Sequence, residues 1–198
     1  MSNIDAKQVQ TLRKMTGAGM MDCKNALVKS GGDVEKAVEN LRKSGIAKAA
    51  KKLGREANEG RIHAYIHQGS KLGVLLEVFC ETDFVARTED FIGFCNDIAM
   101  QIAAEDPLAV SVEQIDPKII EKEREIYTEQ ARATGKPEAM FDRIVNGKIE
   151  KFYDQVVLLR QASIKDSNKK IETVLQEIIG KLGENIQLGS FARFKIGE

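Results

Sequence analysis

The chain has no tryptophan, three prolines, three cysteines and two histidines, and its 30 basic and 30 acidic residues cancel over 198 positions. Each shortage removes a class of function. A zero formal charge provides no global field to draw in nucleic acid. The charge is only mildly uneven: residues 1–60 carry a net +5 and the remainder a net −5. No apolar run approaches the 18 or so residues of a membrane span. The first residues, Met1-Ser-Asn-Ile-Asp5, have neither a basic stretch nor an apolar one behind it, so no secretory signal is expected. Cys23, Cys80 and Cys95 form no CxxC pair and are odd in number. They predict thiols acting as small hydrophobes in a reducing cytoplasm, with neither a disulfide frame nor a zinc site.

What is present reads first as helices. Asp5 with Gln8 three residues on makes a capping box, and Val9, Leu12 and Met15 mark one face before Thr16-Gly17. A second helix runs from about Met20 to Ser30, ended by Gly31-Gly32. A third follows Asp33 as N-cap, with Val34, Ala37, Val38 and Leu41 at helical spacing, and is expected to stop at Ser44-Gly45. Helices of about ten residues are not stable alone, so the three predict a miniature bundle with Met15, Leu27, Val34 and Leu41 in its core. Residues 47–60, rich in Ala and Lys, suit a partly helical linker.

From Arg61 the period becomes two. Ile62, Ala64 and Ile66 alternate with His63, Tyr65 and His67, and Gln68-Gly-Ser-Lys71 turns the chain into an apolar run, Leu72–Cys80. Helical segments follow over about Asp90–Ala104, from Asp116-Pro117 to Thr134-Gly135, from Pro137 to Val145, from Lys148 to Leu159, and over Lys169–Leu182 with Gly183 beyond it. Ile186, Leu188, Ala192, Phe194 and Ile196 then alternate as a closing strand. The expected fold class is α+β: a bundle over 1–46, a linker over 47–60, and a core of small antiparallel sheet packed with helices over 61–198.

Catalytic chemistry finds little footing. His63 and His67 have the i,i+4 spacing of a zinc helix, but Ala64 stands where a protease needs Glu, and the alternation says strand. Both histidines are expected on its solvated polar face. Thr16-Gly-Ala-Gly-Met-Met-Asp22 lacks the order of a phosphate loop and no strand precedes it. Glu121, Glu123 and Glu125, alternating with Lys122 and Arg124, read as a solvated helix face. No cofactor or metal site is expected in the chain itself. The unusual features are apolar. Met20 and Met21 follow a glycine turn; either both are core, or one faces outward as an adaptable contact. Phe84 sits beside Asp83 where the strand ends and the next helix begins. Either the ring is core and Thr82 or Asp83 merely caps the helix, or the turn holds the ring outward. A chain without catalytic groups but with two apolar tips binds another protein. Rival readings are an adaptor built on the small bundle and a hydrolase using His63 or His67.

Three stretches carry a resemblance. Leu12-Arg-Lys-Met-Thr-Gly-Ala-Gly-Met-Met-Asp-Cys-Lys-Asn-Ala-Leu27, Glu77-Val-Phe-Cys-Glu-Thr-Asp-Phe-Val-Ala-Arg87 and Lys181-Leu-Gly-Glu-Asn-Ile186 resemble the amino-terminal signature, the TDFV signature and the KxGENI element of translation elongation factor Ts. Phe79 departs from that pattern, which has a small polar residue such as Asn there. The resemblance implies a guanine-nucleotide exchange factor that binds elongation factor Tu in its GDP-bound and nucleotide-free forms, and is not an enzyme. It implies a ubiquitin-associated fold for the bundle, with Leu12, Met20, Met21 and Lys24 docking on the GTPase. It implies that Thr82, Asp83, Phe84 and Val85 form an intruding tip near the partner's Mg²⁺, without ligating it. The chain resembles a short member, half of the longer core, which implies a homodimer. No direct nucleic-acid or membrane partner is expected. Magnesium needs near-ideal octahedral geometry, so a ring that favours a displaced partner conformation loosens the nucleotide, and nucleotide must weaken this chain's binding by the same factor.

Overall fold

The structure, a computed structural model, describes residues 4–133 and 137–197. Its described elements are α1 (Ala6–Thr16), α2 (Met20–Lys29), α3 (Val34–Ala50), β1 (Glu59–Ile66), β2 (Leu72–Cys80), a single turn α4 (Asp83–Ala86), α5 (Glu89–Glu105), α6 (Pro117–Arg132), α7 (Phe141–Val156), α8 (Ile171–Leu182) and β3 (Gln187–Lys195), with short 3₁₀ turns between helices. The strands form one sheet in the order β1-β2-β3. The fold is α+β. No helix among the described residues is long and apolar enough to cross a membrane.

Local chemistry places the helix starts. Asp5 and Gln8 form the capping box of α1, Asp33 accepts the Lys36 N–H at the start of α3, and Asp116 with Pro117 opens α6. Each satisfies donors that the first helical turn leaves without partners. The expected close of α6 at Thr134-Gly135 lies outside the described residues.

In the bundle, Val9, Leu12, Cys23, Ala26, Leu27 and Ala37 are buried, with Val34 and Leu41 packed against them. Met15 is a correction: it is exposed. At 100° per residue it lies well round the helix from Val9, and Thr16 takes the inward place, its hydroxyl bonding the Leu12 carbonyl at 2.8 Å. A second correction is the end of α3, which runs through Ser44-Gly45 to Ala50. A mid-helix glycine costs only about 1 kcal/mol against alanine, and here it is used. A Cβ on Gly180 of α8 would stand 2.9 Å from the Gly45 carbonyl oxygen and 3.0 Å from its Cα. The two glycines let the backbones of α3 and α8 approach, and Arg42 and Glu177 pair beside them at 3.2 Å.

α7 is likewise one helix, where two segments parted at Asn146-Gly147 were expected. Its inward stripe of Ile144, Val145, Ile149 and Tyr153 runs unbroken past Gly147 and packs with Ala131 and Tyr127 of α6. That continuous stripe outweighs one glycine.

β1 and β2 form the expected hairpin, with Gly69 (φ 90°) and Ser70 (φ 55°) in its turn. β2 buries Val74, Leu76, Val78 and Cys80, and Arg193 of β3 donates to the Ala103 carbonyl of α5 at 3.3 Å on the same side. The other face departs from expectation. Ile62 and Ile66 point outward while His63 is half-buried and His67 exposed, so the histidines do not share a solvated polar face. β1 is short of core-facing apolar residues because its apolar set serves the outer side. Leu75, Phe194 and Ile196 are exposed with them. Gly73, whose Cβ would meet Ile66 Cδ1 at 2.9 Å, and Glu77, bonded to the Ser190 hydroxyl, tie the three strands' outward positions into one face.

The chain divides into two compact units. One draws on Met1–Arg61, Val78–Phe94 and Thr173–Gln187, the other on Ile62–Glu77, Cys95–Glu172 and Leu188–Glu198. The bundle, the turn after β2 and most of α8 therefore belong to a single unit.

Candidate functional site

The turn after β2 is built by capping. Thr82 is extended and its hydroxyl oxygen accepts the Val85 N–H at 3.4 Å, starting the short α4. Thr88 does the same for Phe91 at 3.3 Å, starting α5. Between the two caps the chain makes one turn, and Ala86 is its buried side. Phe84 lies opposite and is 78% exposed. That decides between the two readings of the ring: it is not core, although Thr82 does cap. On α5, Phe91, Cys95, Ile98 and Ile102 are all buried. Asp83 pairs with Arg87 one turn on, 2.6 Å apart, both partly open to solvent. A surface pair of that kind contributes about 0–1 kcal/mol, so Asp83 is easily given up to another donor. Val85 is half-buried at the foot of the turn.

Sequence reasoning missed what fixes this turn. Glu184, just beyond α8, accepts the Glu81 and Thr82 backbone N–H groups on one carboxylate oxygen at 3.1 and 3.0 Å, and the Thr82 hydroxyl on the other at 2.7 Å. Asn185 returns the bond: its backbone N–H donates to Glu81 at 2.6 Å, and its side-chain amide donates to the Arg55 carbonyl at 2.7 Å. The Asn185 N–H is the main cause holding the Glu81 carboxyl below the usual glutamate range, with Arg55 adding to it. Beneath lies Cys80, whose thiol donates to the Thr82 carbonyl at 3.1 Å. Burial, then the nearby Glu184 charge, push that thiol up. All three cysteines are buried and unbridged. The signal for this clamp was the Gly183-Glu-Asn185 run itself: a left-handed glycine (φ 78°) directing two polar residues back toward the sheet.

On the bundle, Gly17 (φ 67°) closes α1 and Gly19 opens α2. Met20 and Met21 follow, 43% and 64% exposed, so neither is core. Lys24, one turn along α2, is exposed too. Leu12 is fully buried and supports this surface from beneath. Lys181 of α8 crosses close over Gly17, where a Cβ would meet its side chain at 2.5 Å, and pairs with Asp90 of α5 at 2.7 Å. The last turn of α8 thus touches both the bundle's glycine turn and the helix that follows the Phe84 turn.

His67 is exposed and bonds the Tyr65 hydroxyl at 2.9 Å. Among the described residues, no group of three or more His, Cys, Asp or Glu is placed to hold one metal ion.

A family model described as elongation factor Ts matches residues 6–198. Proteins named elongation factor Ts are similar over the whole chain. That of Anaeromyxobacter sp. (strain K) is 56% identical over 198 residues, which is 100% of this chain and 90% of the relative. That of Geotalea daltonii is 52% identical over 196 residues, 99% and 91% of the two chains. That of Caldanaerobacter subterraneus subsp. tengcongensis is 54% identical over 195 residues, 98% of each.

Proposed function

The chain belongs to the elongation factor Ts family, and on that premise we propose that it is a cytoplasmic guanine-nucleotide exchange factor that binds elongation factor Tu and speeds its release of GDP during translation elongation. The observation that carries the reading is Phe84: a large apolar ring, 78% exposed, on a turn whose neighbours Glu81, Thr82 and Asp83 are each bonded in place. An exposed ring on a fixed support suits burial in another protein.

The action is by binding alone. Met20, Met21 and Lys24 dock the bundle, a ubiquitin-associated-like domain over residues 1–46, on the GTPase, with Leu12 holding their support. The connection over 47–60 leads to the core over 61–198, whose Thr82–Val85 tip enters near the partner's Mg²⁺. Burying the ring contributes about 1.5–3 kcal/mol, spent on a partner conformation in which the metal's octahedral shell is disturbed. Asp83 exchanges Arg87 for donors or charges there. No bond is made or broken and no cofactor is used. Nucleotide and exchange factor weaken one another by the same factor, so GTP dissolves the nucleotide-free complex.

The outward sheet face supports the homodimer. Ile62, Ile66, Leu75, Phe194 and Ile196 present a large exposed apolar surface, and a second copy of the chain is the occupant that completes the half-core. Neither nucleic acid nor membrane enters the scheme.

The test is to mix the chain with elongation factor Tu loaded with fluorescent GDP and to follow the loss of signal against excess unlabelled GDP. Release should accelerate in proportion to the chain until it saturates. Release at the spontaneous rate overturns the proposal.

A further inference from the structure

The geometry points to Glu184 as the residue that positions the exchange tip, acting through its hydrogen bonds to Glu81 and Thr82. This rests on the reading that the Thr82–Val85 turn is what acts on the partner. The support for it lies in how little else orients Phe84. The ring is 78% exposed and so has almost no packing of its own; its direction is set by the backbone beneath it. That backbone leaves β2 at Cys80, where the sheet ladder stops supplying partners for the N–H groups of the next residues. Glu184 takes the first two of them, and also the hydroxyl of Thr82. Thr82 is in turn the cap of α4. One carboxylate therefore fixes the residue before the tip, the tip's first residue, and the rotamer of its cap. Bonds to a charged acceptor are the stronger kind.

Glu184 is itself held. Gly183 adopts φ 78° and its N–H returns to the Ile179 carbonyl at 2.9 Å, closing α8. Asn185 clamps the other side through Glu81 and Arg55. The result is a reciprocal pair, Glu81 accepting from residue 185 and Glu184 accepting from residues 81 and 82. A general packing role does not require this: α8 already packs through Ile171 and Ile179 and by its glycine contact with α3. Positioning and packing separate in kinetics. A loosened tip lowers the maximal rate of nucleotide release at saturating chain, while docking through the bundle keeps the half-saturating concentration.

The experiment compares wild type with Glu184→Gln in full-length chain, using elongation factor Tu loaded with fluorescent GDP. Gln keeps the size and one acceptor oxygen but presents an NH₂ where the Thr82 hydroxyl now donates. If wild type itself gives no acceleration, the reading of the turn fails and this assignment falls with it. Given acceleration by wild type, Glu184→Gln should lower the maximal rate about tenfold, as expected for a lost bond to a charged acceptor, with the half-saturating concentration within about twofold. Thr82→Val should show the same loss, Thr82→Ser should restore most of the rate, and the double variant should be little worse than either single one. An unchanged maximal rate, or a change confined to half-saturation, overturns the assignment. Amide hydrogen exchange on wild type serves if a variant fails to fold: the Glu81 and Thr82 amides should exchange far more slowly than those of the Gly69-Ser70 turn, and equal rates overturn the assignment.

Discussion

Replacing Phe84 with alanine separates what the ring does for this chain from what it does for a partner. About a fifth of the side chain is covered in the free protein. Full burial of a phenylalanine is worth about 1.5–3 kcal/mol, so truncation costs folding about 0.5 kcal/mol. For a chain of this size that lowers the thermal midpoint by about 1–2 °C. The other four-fifths is available to the partner. If that surface is buried only in the state that lets nucleotide go, its loss raises the barrier by about 2 kcal/mol, close to thirtyfold in the maximal rate of GDP release. If it is buried equally on docking, the half-saturating concentration rises instead and the maximal rate holds. The assay is stopped-flow release of fluorescent GDP from elongation factor Tu over a range of Phe84→Ala concentrations, beside a melt of the variant alone. A melt lowered by 10 °C, or a full-speed release with unaltered binding, would refute this role for the ring.

Met20→Ala with Met21→Ala should weaken complex formation by an order of magnitude or more while lowering the thermal midpoint by only a few degrees, because Met20 is 43% and Met21 64% exposed in the free chain; unchanged affinity by titration calorimetry would remove them from the docking surface. Phe194→Asp should turn a dimer into a monomer by light scattering, since it puts a charge on the outward apolar face; a dimer that persists would move the interface elsewhere. Gly180→Ala should lower the thermal midpoint, because its Cβ would press on the Gly45 backbone at 2.9–3.2 Å and overpacking typically costs about 1–3 kcal/mol; a wild-type melt would show that α3 and α8 have room. Glu81 has its carboxyl held below the usual glutamate range, chiefly by the Asn185 N–H. Its contribution is therefore complete above the unfolded glutamate range and lost as pH falls through the lowered folded value. Glu81→Gln should flatten that acid limb of the stability curve, and identical limbs would deny the bond its role.

Much of this fold was legible because local chemistry decides helix starts. Asp5 with Gln8, Asp33, and Asp116 with Pro117 are each where the sequence pattern puts them, and Gly183 ends α8 as expected. Stops were harder. Gly45 and Gly147 read as breakers, yet a glycine disfavours a helix by only about 1 kcal/mol, less than the packing that α3 and α7 gain by continuing. Whether Gly45 ends a helix depends on Gly180, 135 positions away. The faces of β1 were misread for a similar reason. Alternation reveals two sides but not which one meets the helices, and Ile62 and Ile66 turned out to be on the outer one. At the site, the exposure of Phe84 was one of two readings the spacing allowed. The clamp of Glu184 and Asn185 left only half a signal: the Gly183-Glu-Asn185 run marks a polar turn, but its partners lie about a hundred residues upstream and no local rule joins them.

The clamp bears on why so small a tip suffices. Fixing the backbone of one residue costs about 1–2 kcal/mol. Were Thr82 to Val85 a mobile loop, ordering those four residues on contact would cost about 4–8 kcal/mol, more than the roughly 2 kcal/mol that burial of one ring returns. The ring would then bind without moving anything. With Glu184, the Thr82 cap and the Asp83–Arg87 pair in place before contact, most of that ordering belongs to folding, and the burial energy is left to act on the partner. On this reasoning, loosening the clamp and deleting the ring cost the same step. A chain carrying both Phe84→Ala and Glu184→Gln should release GDP from elongation factor Tu hardly more slowly than Phe84→Ala alone. Losses that multiply would mean that the carboxylate serves exchange by some route other than the ring.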